Sequence, residues 1–232
     1  MDQRNSLSRE VRTKTALRGV LGSLAIFGLL FLGAGRLDCW QAWAYLASGI
    51  LIMVLMWTIL TKDRALIEER LNPREGMKGW DKFYFEVTTP LYVIALLIAG
   101  LDARFGWTAD MPVWVYLVGL IVYLIGEAIF QWARYTNNYF SSVVRIQTDR
   151  GQTVCKEGPY RIIRHPGYLG GFLFTGTLGL VLGSWWACIP QVIAALLLIW
   201  RTAREDQTLQ VELPGYIEFT KETRYRLIPG IW

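Results

Sequence analysis

Charged residues are scarce in this sequence of 232 residues. Asp, Glu, Lys and Arg make up 19%, whereas a soluble domain carries about 25%. Hydrophobic residues reach 53% and aromatic residues 14%. So much apolar surface excludes an intrinsically disordered chain, and the low charge argues against an ordinary water-soluble enzyme.

Several catalytic signatures are also missing. The chain has one histidine, His165, and three cysteines with no C-x-x-C pair, which excludes a disulfide framework, a zinc signature and a histidine-rich iron centre. No G-x-G-x-x-G, Walker loop or G-x-S-x-G motif occurs. We therefore expect no metal site.

Long runs with little or no charge are abundant instead. A membrane helix needs about 20 apolar residues, so four of the runs predict one span each. The uncharged residues 166–200 are long enough for two short helices that separate at Gly183-Ser184. The four single-span runs are residues 19–35, 39–61, 87–101 and 111–133. The predicted fold is an all-α integral membrane protein with about six transmembrane helices, the last two forming a hairpin.

The basic residues predict the orientation of these spans. All 24 Lys and Arg except Arg36 and Arg104 lie in the N-terminal segment, the loops after the second and fourth spans, and the C-terminal tail. This is the positive-inside pattern, and it predicts that both termini are cytoplasmic. The net charge of +5 then reflects topology, so nucleic acid is not an expected partner. Tryptophans at the predicted outer ends agree with an interfacial belt: Trp40, Trp43, Trp107, Trp114, Trp185 and Trp186.

Two domains follow from this topology. Residues 1–133 hold the four N-terminal transmembrane helices and a cytoplasmic N-terminus. Residues 134–232 hold a loop, the hairpin 166–200 and a C-terminal cytoplasmic segment. The connector 62–82, with a Pro-Arg-Glu-Gly turn at residues 73–76, is interpreted as a solvated segment on lipid headgroups. Because a short hairpin brings its two flanks to one membrane face, we expect the chemistry in a cytoplasmic cap.

One flank of the hairpin carries His165 between Arg164 and Pro166. Pro166 suits the first turn of a helix, whose free backbone N–H groups bind anions or polar ligands. A single histidine is more often structural than functional, so both interpretations stay open. The Gly167-x-x-x-Gly171 and Gly179-x-x-x-Gly183 pairs are also typical of helix packing.

The other flank carries Arg201 and Glu205, which lie four residues apart and share a helical face. They either form an ion pair, or Glu205 and the adjacent Asp206 bind a cationic or hydroxyl-rich ligand. Glu127 lies inside the fourth predicted span. A carboxylate at that depth is a functional candidate, unless it pairs with Arg134.

These two flanks are similar to the isoprenylcysteine carboxyl methyltransferase family and the related phospholipid N-methyltransferases. The resemblance covers about residues 137–232, and its ending at 225–232 is similar to bacterial members. The matching motifs are Gly158-Pro159-Tyr160, Arg164-His165-Pro166-x-Tyr168-x-Gly170 and Arg201-x-x-x-Glu205-Asp206-x-x-Leu209. The resemblance implies an enzyme of the bacterial inner membrane that uses S-adenosylmethionine without a Rossmann domain and methylates a lipid-like or small hydrophobic acceptor.

The resemblance also implies roles for individual residues. Arg201 would face the acceptor as the catalytic residue, and a guanidinium can hold a carboxylate through two parallel hydrogen bonds. Asp206 stands where many members have a second glutamate. The implied cofactor contacts are Gln147, Gln152, Thr153, Val154, Cys155, Tyr160, His165, Pro166, Gly167, Tyr168 and Glu205.

Three other functions remain open from the sequence. One is phospholipid N-methylation. A second is NADPH-dependent reduction, because membrane sterol reductases have a related C-terminal architecture and endings similar to residues 226–230. The third is a membrane scaffold without catalysis.

Overall fold

The structure, a computed structural model, describes residues 2–60 and 76–232. All regular elements within these residues are helical. Two short 3₁₀ turns, Thr148–Arg150 and Gly158–Arg161, lie between the fourth and fifth α-helices. The α-helices are α1 (Asp2–Ala34), α2 (Trp40–Leu60), α3 (Gly79–Phe105), α4 (Val113–Thr136), α5 (Pro166–Val181), α6 (Trp185–Glu212) and α7 (Tyr216–Glu222). The predicted all-α class is confirmed for this part of the chain.

Four segments of these helices are long and apolar enough to cross a membrane. They are Leu17–Ala34, Gly79–Phe105, Val113–Thr136 and Trp185–Glu212. The protein is therefore an integral membrane protein. Helix α5 has 16 residues and measures about 24 Å, which is shorter than a hydrocarbon core of about 30 Å. The count of six spans stays a prediction, and residues 61–75 of the predicted connector lie outside the described residues.

The hairpin separates where the sequence predicts. Helix α5 ends at Val181 and α6 begins at Trp185, with Gly183 between them at a positive φ of 72°. The Ser184 hydroxyl accepts a hydrogen bond from the Ala187 N–H at 3.1 Å, as an N-cap does. The same hydroxyl donates to Asp102 of α3 at 2.5 Å, so the turn is held to α3.

Glycines let the helices that carry the site approach closely. Helix α4 crosses α5 at Gly126 and Gly170, where a Cβ added to Gly126 would lie 2.8 Å from the Gly170 carbonyl oxygen. Gly179 meets the backbone of Cys188 in α6 in the same way, which supports a packing role for that glycine. Each close contact leaves no room for a side chain, so α4, α5 and α6 form one tightly packed unit.

In the part of the chain that the structure describes, buried apolar residues form two clusters. One cluster joins α1 to α6 on the side where the six tryptophans of the predicted outer belt are exposed. The other cluster joins the end of α4 to α6 and α7. It comprises Ala133, Tyr160, Leu209, Leu213, Tyr216 and Phe219. This second cluster, together with the loop between α4 and α5 and the C-terminal segment, forms the cap.

Candidate active site

A cavity of about 320 Å³ lies between the cap and the helices α3 to α6. Its volume lies within the range of small-molecule sites, about 300–1,000 Å³. All of the predicted site residues except Gln147 and Pro166 line it. They are Gln152, Thr153, Val154, Cys155, Tyr160, His165, Gly167, Tyr168, Arg201 and Glu205. The structure therefore brings both flanks of the hairpin to one cavity.

The two remaining predicted site residues lie behind this lining. The buried Gln147 side chain donates to the Tyr139 carbonyl at 2.8 Å and accepts from Arg150 Nη1 at 2.5 Å. Its backbone N–H donates to Gln152 Oε1 at 2.7 Å, so Gln147 shapes the loop that presents Gln152. Pro166 is the first residue of α5, as its lack of an N–H predicts.

Helix α6 turns one face toward the cavity. Leu198, Arg201, Glu205 and Leu209 all line it, and they recur every three or four residues, as positions on one helical face do. The Glu205 carboxylate accepts a hydrogen bond from the Tyr168 hydroxyl of α5. The two motifs singled out in the sequence therefore meet through this pair.

Arg201 pairs with a carboxylate that the sequence analysis missed. Its Nε donates to Asp81 Oδ1 at 2.6 Å, and its Nη2 donates to Asp81 Oδ2 at 3.2 Å and to the Ser142 carbonyl at 2.8 Å. An ion pair with Glu205 was one of the two interpretations of the spacing, but the guanidinium bonds Asp81 instead. One edge of the guanidinium is thus already occupied.

Aromatic rings enclose the same guanidinium. Its central carbon lies 4.8 Å from the ring centre of Tyr84, 4.9 Å from that of Phe85 and 5.2 Å from that of Tyr168. Rings at these distances stabilise a cation through their negative faces. Tyr84 and Phe85 lie just before the predicted third span, residues 87–101, and the sequence motifs do not point to them.

Asp206 is the centre of a buried network and is fully shielded from solvent. Its carboxylate accepts from Arg164 Nε at 2.8 Å, Arg226 Nε at 2.8 Å and the Tyr216 hydroxyl at 3.0 Å, and lies 3.1 Å from His165 Nε2. These partners come from the start of the hairpin, from α7 and from the C-terminal segment. The network therefore binds the parts of the cap together.

Burial raises the pKa of three cap residues. It raises the pKa of the Tyr160 phenol, and it raises the pKa of Tyr216, where the nearby Asp206 carboxylate adds to the effect. Burial likewise raises the pKa of the Cys155 thiol. Because the thiolate is the reactive form of cysteine, Cys155 is poorly suited to act as a nucleophile at neutral pH.

The intramembrane candidate Glu127 is not among the residues that line the cavity. Its carboxylate accepts a hydrogen bond from Gln131 Nε2, one turn further along α4, at 3.3 Å. Its proposed functional role stays a prediction.

These features define an integral membrane protein with a ligand-sized, partly charged cavity where its helices meet a cap. Residues 117–211 match the model of the isoprenylcysteine carboxyl methyltransferase (ICMT) family. The resemblance predicted from the motifs is confirmed over this segment, which contains the loop, the hairpin and the Arg201-x-x-x-Glu205 motif.

Two curated proteins are similar to part of this chain. They come from Oryza sativa, subspecies indica and japonica, and each is named probable protein-S-isoprenylcysteine O-methyltransferase. Each is 34% identical to this chain over 89 residues, which is 38% of this chain and 44% of the relative. The chain thus spans less than half the length of the curated relatives it matches.

Proposed function

We propose that this protein transfers a methyl group from S-adenosylmethionine to the carboxylate of an S-prenylated cysteine. One observation carries the proposal: His165 and Tyr168 from one flank of the hairpin, and Arg201 and Glu205 from the other, line the same cavity. The family match and the names of the rice relatives support this donor and acceptor.

The lining fits the methyl donor chemically. Glu205 is half-buried in the cavity and can accept hydrogen bonds from ribose hydroxyls or from the ammonium group. The aromatic ring of Tyr168 can lie against a sulfonium cation or the adenine. When bound, S-adenosylmethionine supplies a methyl group on a positively charged sulfur, and that S–CH₃ bond breaks as an acceptor oxygen forms the new O–CH₃ bond.

The acceptor would use a different part of the lining. Phe130, Phe174 and Leu198 offer apolar surface to a prenyl chain. Arg201 offers a positive charge to the carboxylate. Positioning the two reactants can supply about 7–11 kcal/mol of the barrier reduction, so a site of this kind needs neither a metal nor a protein nucleophile.

The Glu205→Ala variant tests the cofactor part of the proposal. We expect it to weaken S-adenosylmethionine binding by about 1.5–3 kcal/mol, the usual contribution of a hydrogen bond to a charged group. Isothermal titration calorimetry on the purified protein measures the change. Unchanged affinity in a folded Glu205→Ala protein would contradict the assignment.

The matched control is Glu212→Ala on the same helix. Glu212 is exposed, bonds Lys78 at 2.7 Å and lies outside the cavity lining. Its loss should change cofactor affinity little, because an exposed ion pair contributes about 0–1 kcal/mol.

The chemistry of the product tests the acceptor class. Membranes containing the protein are incubated with methyl-labelled S-adenosylmethionine and N-acetyl-S-farnesylcysteine, and the product is treated with mild base. A methyl ester releases labelled methanol, whereas an N-methylated lipid does not. A base-stable product would favour phospholipid N-methylation, and thermal stabilisation by NADPH in place of S-adenosylmethionine would favour the reductase.

A further inference from the structure

Asp81 is a fully buried carboxylate at the start of α3. It lies outside the segment that matches the family model, and 120 residues separate it from Arg201 along the chain. In addition to its hydrogen bonds with Arg201, Asp81 accepts a hydrogen bond at Oδ2 from the Val144 N–H at 2.7 Å. Asp81 therefore joins α3, the cap loop and α6, and its partners Val144 and Arg201 line the cavity.

The hydrogen bonds of Arg201 leave one guanidinium nitrogen, Nη1, able to donate to a ligand. Nε has a single N–H, which Asp81 uses, and the two N–H groups of Nη2 match Asp81 and the Ser142 carbonyl. Within the described part of the chain, these bonds use every N–H except the two on Nη1. A two-nitrogen grip on an acceptor carboxylate, as expected from the sequence, would need the Ser142 carbonyl to release Nη2, if Nη1 and Nη2 held the acceptor, or Asp81 to release Nε and Nη2.

The burial of this pair makes its geometry rigid. Arg201 is 8% exposed and Asp81 is 0% exposed. Removing one partner of a buried pair leaves a charge without compensation. A bidentate bond fixes the plane of the guanidinium as well as its position, and three rings pack around it.

We propose that Asp81 is a positioning residue that holds Arg201 so that Nη1 alone contacts the acceptor carboxylate. The proposal rests on the proposed function, because it assigns the acceptor to Arg201. It adds that the arginine of the family-matched segment depends on a carboxylate from the N-terminal half of the chain. It also adds that the acceptor is held by one guanidinium nitrogen.

The test compares Asp81→Glu and Asp81→Asn in the full-length protein. Glu keeps the negative charge but is one methylene longer, so it displaces the guanidinium. Asn keeps the size but removes the charge. Turnover is expressed per site titrated with S-adenosylmethionine, so that only folded protein is counted.

We expect kcat/KM for N-acetyl-S-farnesylcysteine to fall about 10²-fold in Asp81→Asn, the order of loss that a 1 Å misplacement causes. Asp81→Glu should lie between this variant and the wild type. Acceptor affinity measured by calorimetry without cofactor should fall in the same order, while the dissociation constant of S-adenosylmethionine stays near the wild-type value. Glu86→Gln, which changes an exposed residue of the same helix, should match the wild type in every measurement.

Two outcomes would overturn the positioning role. One is wild-type kcat/KM per titrated site in both Asp81 variants. The other is loss of cofactor binding in parallel with turnover in both variants, because a purely structural role predicts that pattern. A failure of the proposed function is recognised separately, since the wild-type protein itself then binds no S-adenosylmethionine.

Discussion

The adjacent carboxylates Glu205 and Asp206 of α6 lie in two different environments. Glu205 lines the cavity, whereas Asp206 is buried among Arg164, His165 and Arg226. Neighbouring residues on an α-helix point about 100° apart, since a turn holds 3.6 residues. One residue can therefore contact a ligand while the next holds the cap together.

At the residue scale, we expect Asp206→Asn to destabilise the protein strongly. The change leaves two buried or half-buried guanidinium groups without their counter-charge, and breaking a buried pair costs about 3–5 kcal/mol. The loss should appear as a lower midpoint in thermal unfolding of the detergent-solubilised protein.

Asp149→Asn is the control for this variant. Asp149 also pairs with an arginine, Arg145 at 3.0 Å, but its side chain is 61% exposed. An exposed pair contributes about 0–1 kcal/mol, so the midpoint should barely move. Equal midpoints for Asp206→Asn and Asp149→Asn would contradict the central role of Asp206.

At the scale of elements, the crossing of α4 and α5 sets the shape of the cavity. A Cβ added to Gly170 would lie 2.5 Å from the Gly126 carbonyl oxygen and 2.7 Å from the Phe130 nitrogen. Backbone atoms cannot move aside as a flexible side chain can. A residue other than glycine at position 170 must therefore push the two helices apart. This would displace Phe130, one turn after Gly126, and Tyr168, two residues before Gly170, and both line the cavity.

Gly170→Ala should therefore lower both stability and cofactor affinity. Overpacking of this kind costs about 1–3 kcal/mol. Thermal unfolding and calorimetry with S-adenosylmethionine measure the two effects.

Gly49→Ala in α2 provides the comparison, because no atom of the described part of the chain lies within 4 Å of the added Cβ. Alanine is the better helix former, so this control should be neutral or slightly stabilising. If Gly170→Ala behaves like Gly49→Ala, the close crossing does not determine the site.

At the scale of the whole molecule, the distribution of basic residues predicts that the cap faces the cytoplasm. The loop between α4 and α5 and the C-terminal segment carry many Lys and Arg, whereas the loop between α3 and α4 carries none and Arg104 lies in the last turn of α3. A cavity beneath a cytoplasmic cap would receive a soluble cofactor from one side and a lipid-like acceptor from the bilayer.

Cysteine labelling in intact cells measures this orientation. A cysteine replacing the exposed Asp110 should react with a membrane-impermeant maleimide from outside, and one replacing the exposed Asp149 should react only after permeabilisation. The wild-type protein, with Cys39, Cys155 and Cys188, gives the background. The opposite labelling pattern would reverse the predicted topology.

Features that depend on neighbours along the chain could be predicted from the amino-acid sequence. Apolar runs predicted the helices, since burial of a helix in lipid requires a continuous apolar segment. Gly183 and Ser184 predicted the break in the hairpin, because a positive φ and an N-cap are local properties. The shared helical face of Arg201 and Glu205 was likewise predictable, and both residues line the cavity.

The tertiary structure alone decided which groups pair across the fold. Asp81 and Arg201 are 120 residues apart, and no spacing rule connects charges on helices whose contact depends on packing. The same holds for Asp206: it bonds Gln210 one helical turn away, but its other partners lie 41 and 42 residues before it and 10 and 20 residues after it. The sequence pattern offered Glu205 as one possible partner of Arg201, because helical neighbours are the only ones that spacing reveals. The buried guanidinium instead bonds the carboxylate that the folded chain places within reach.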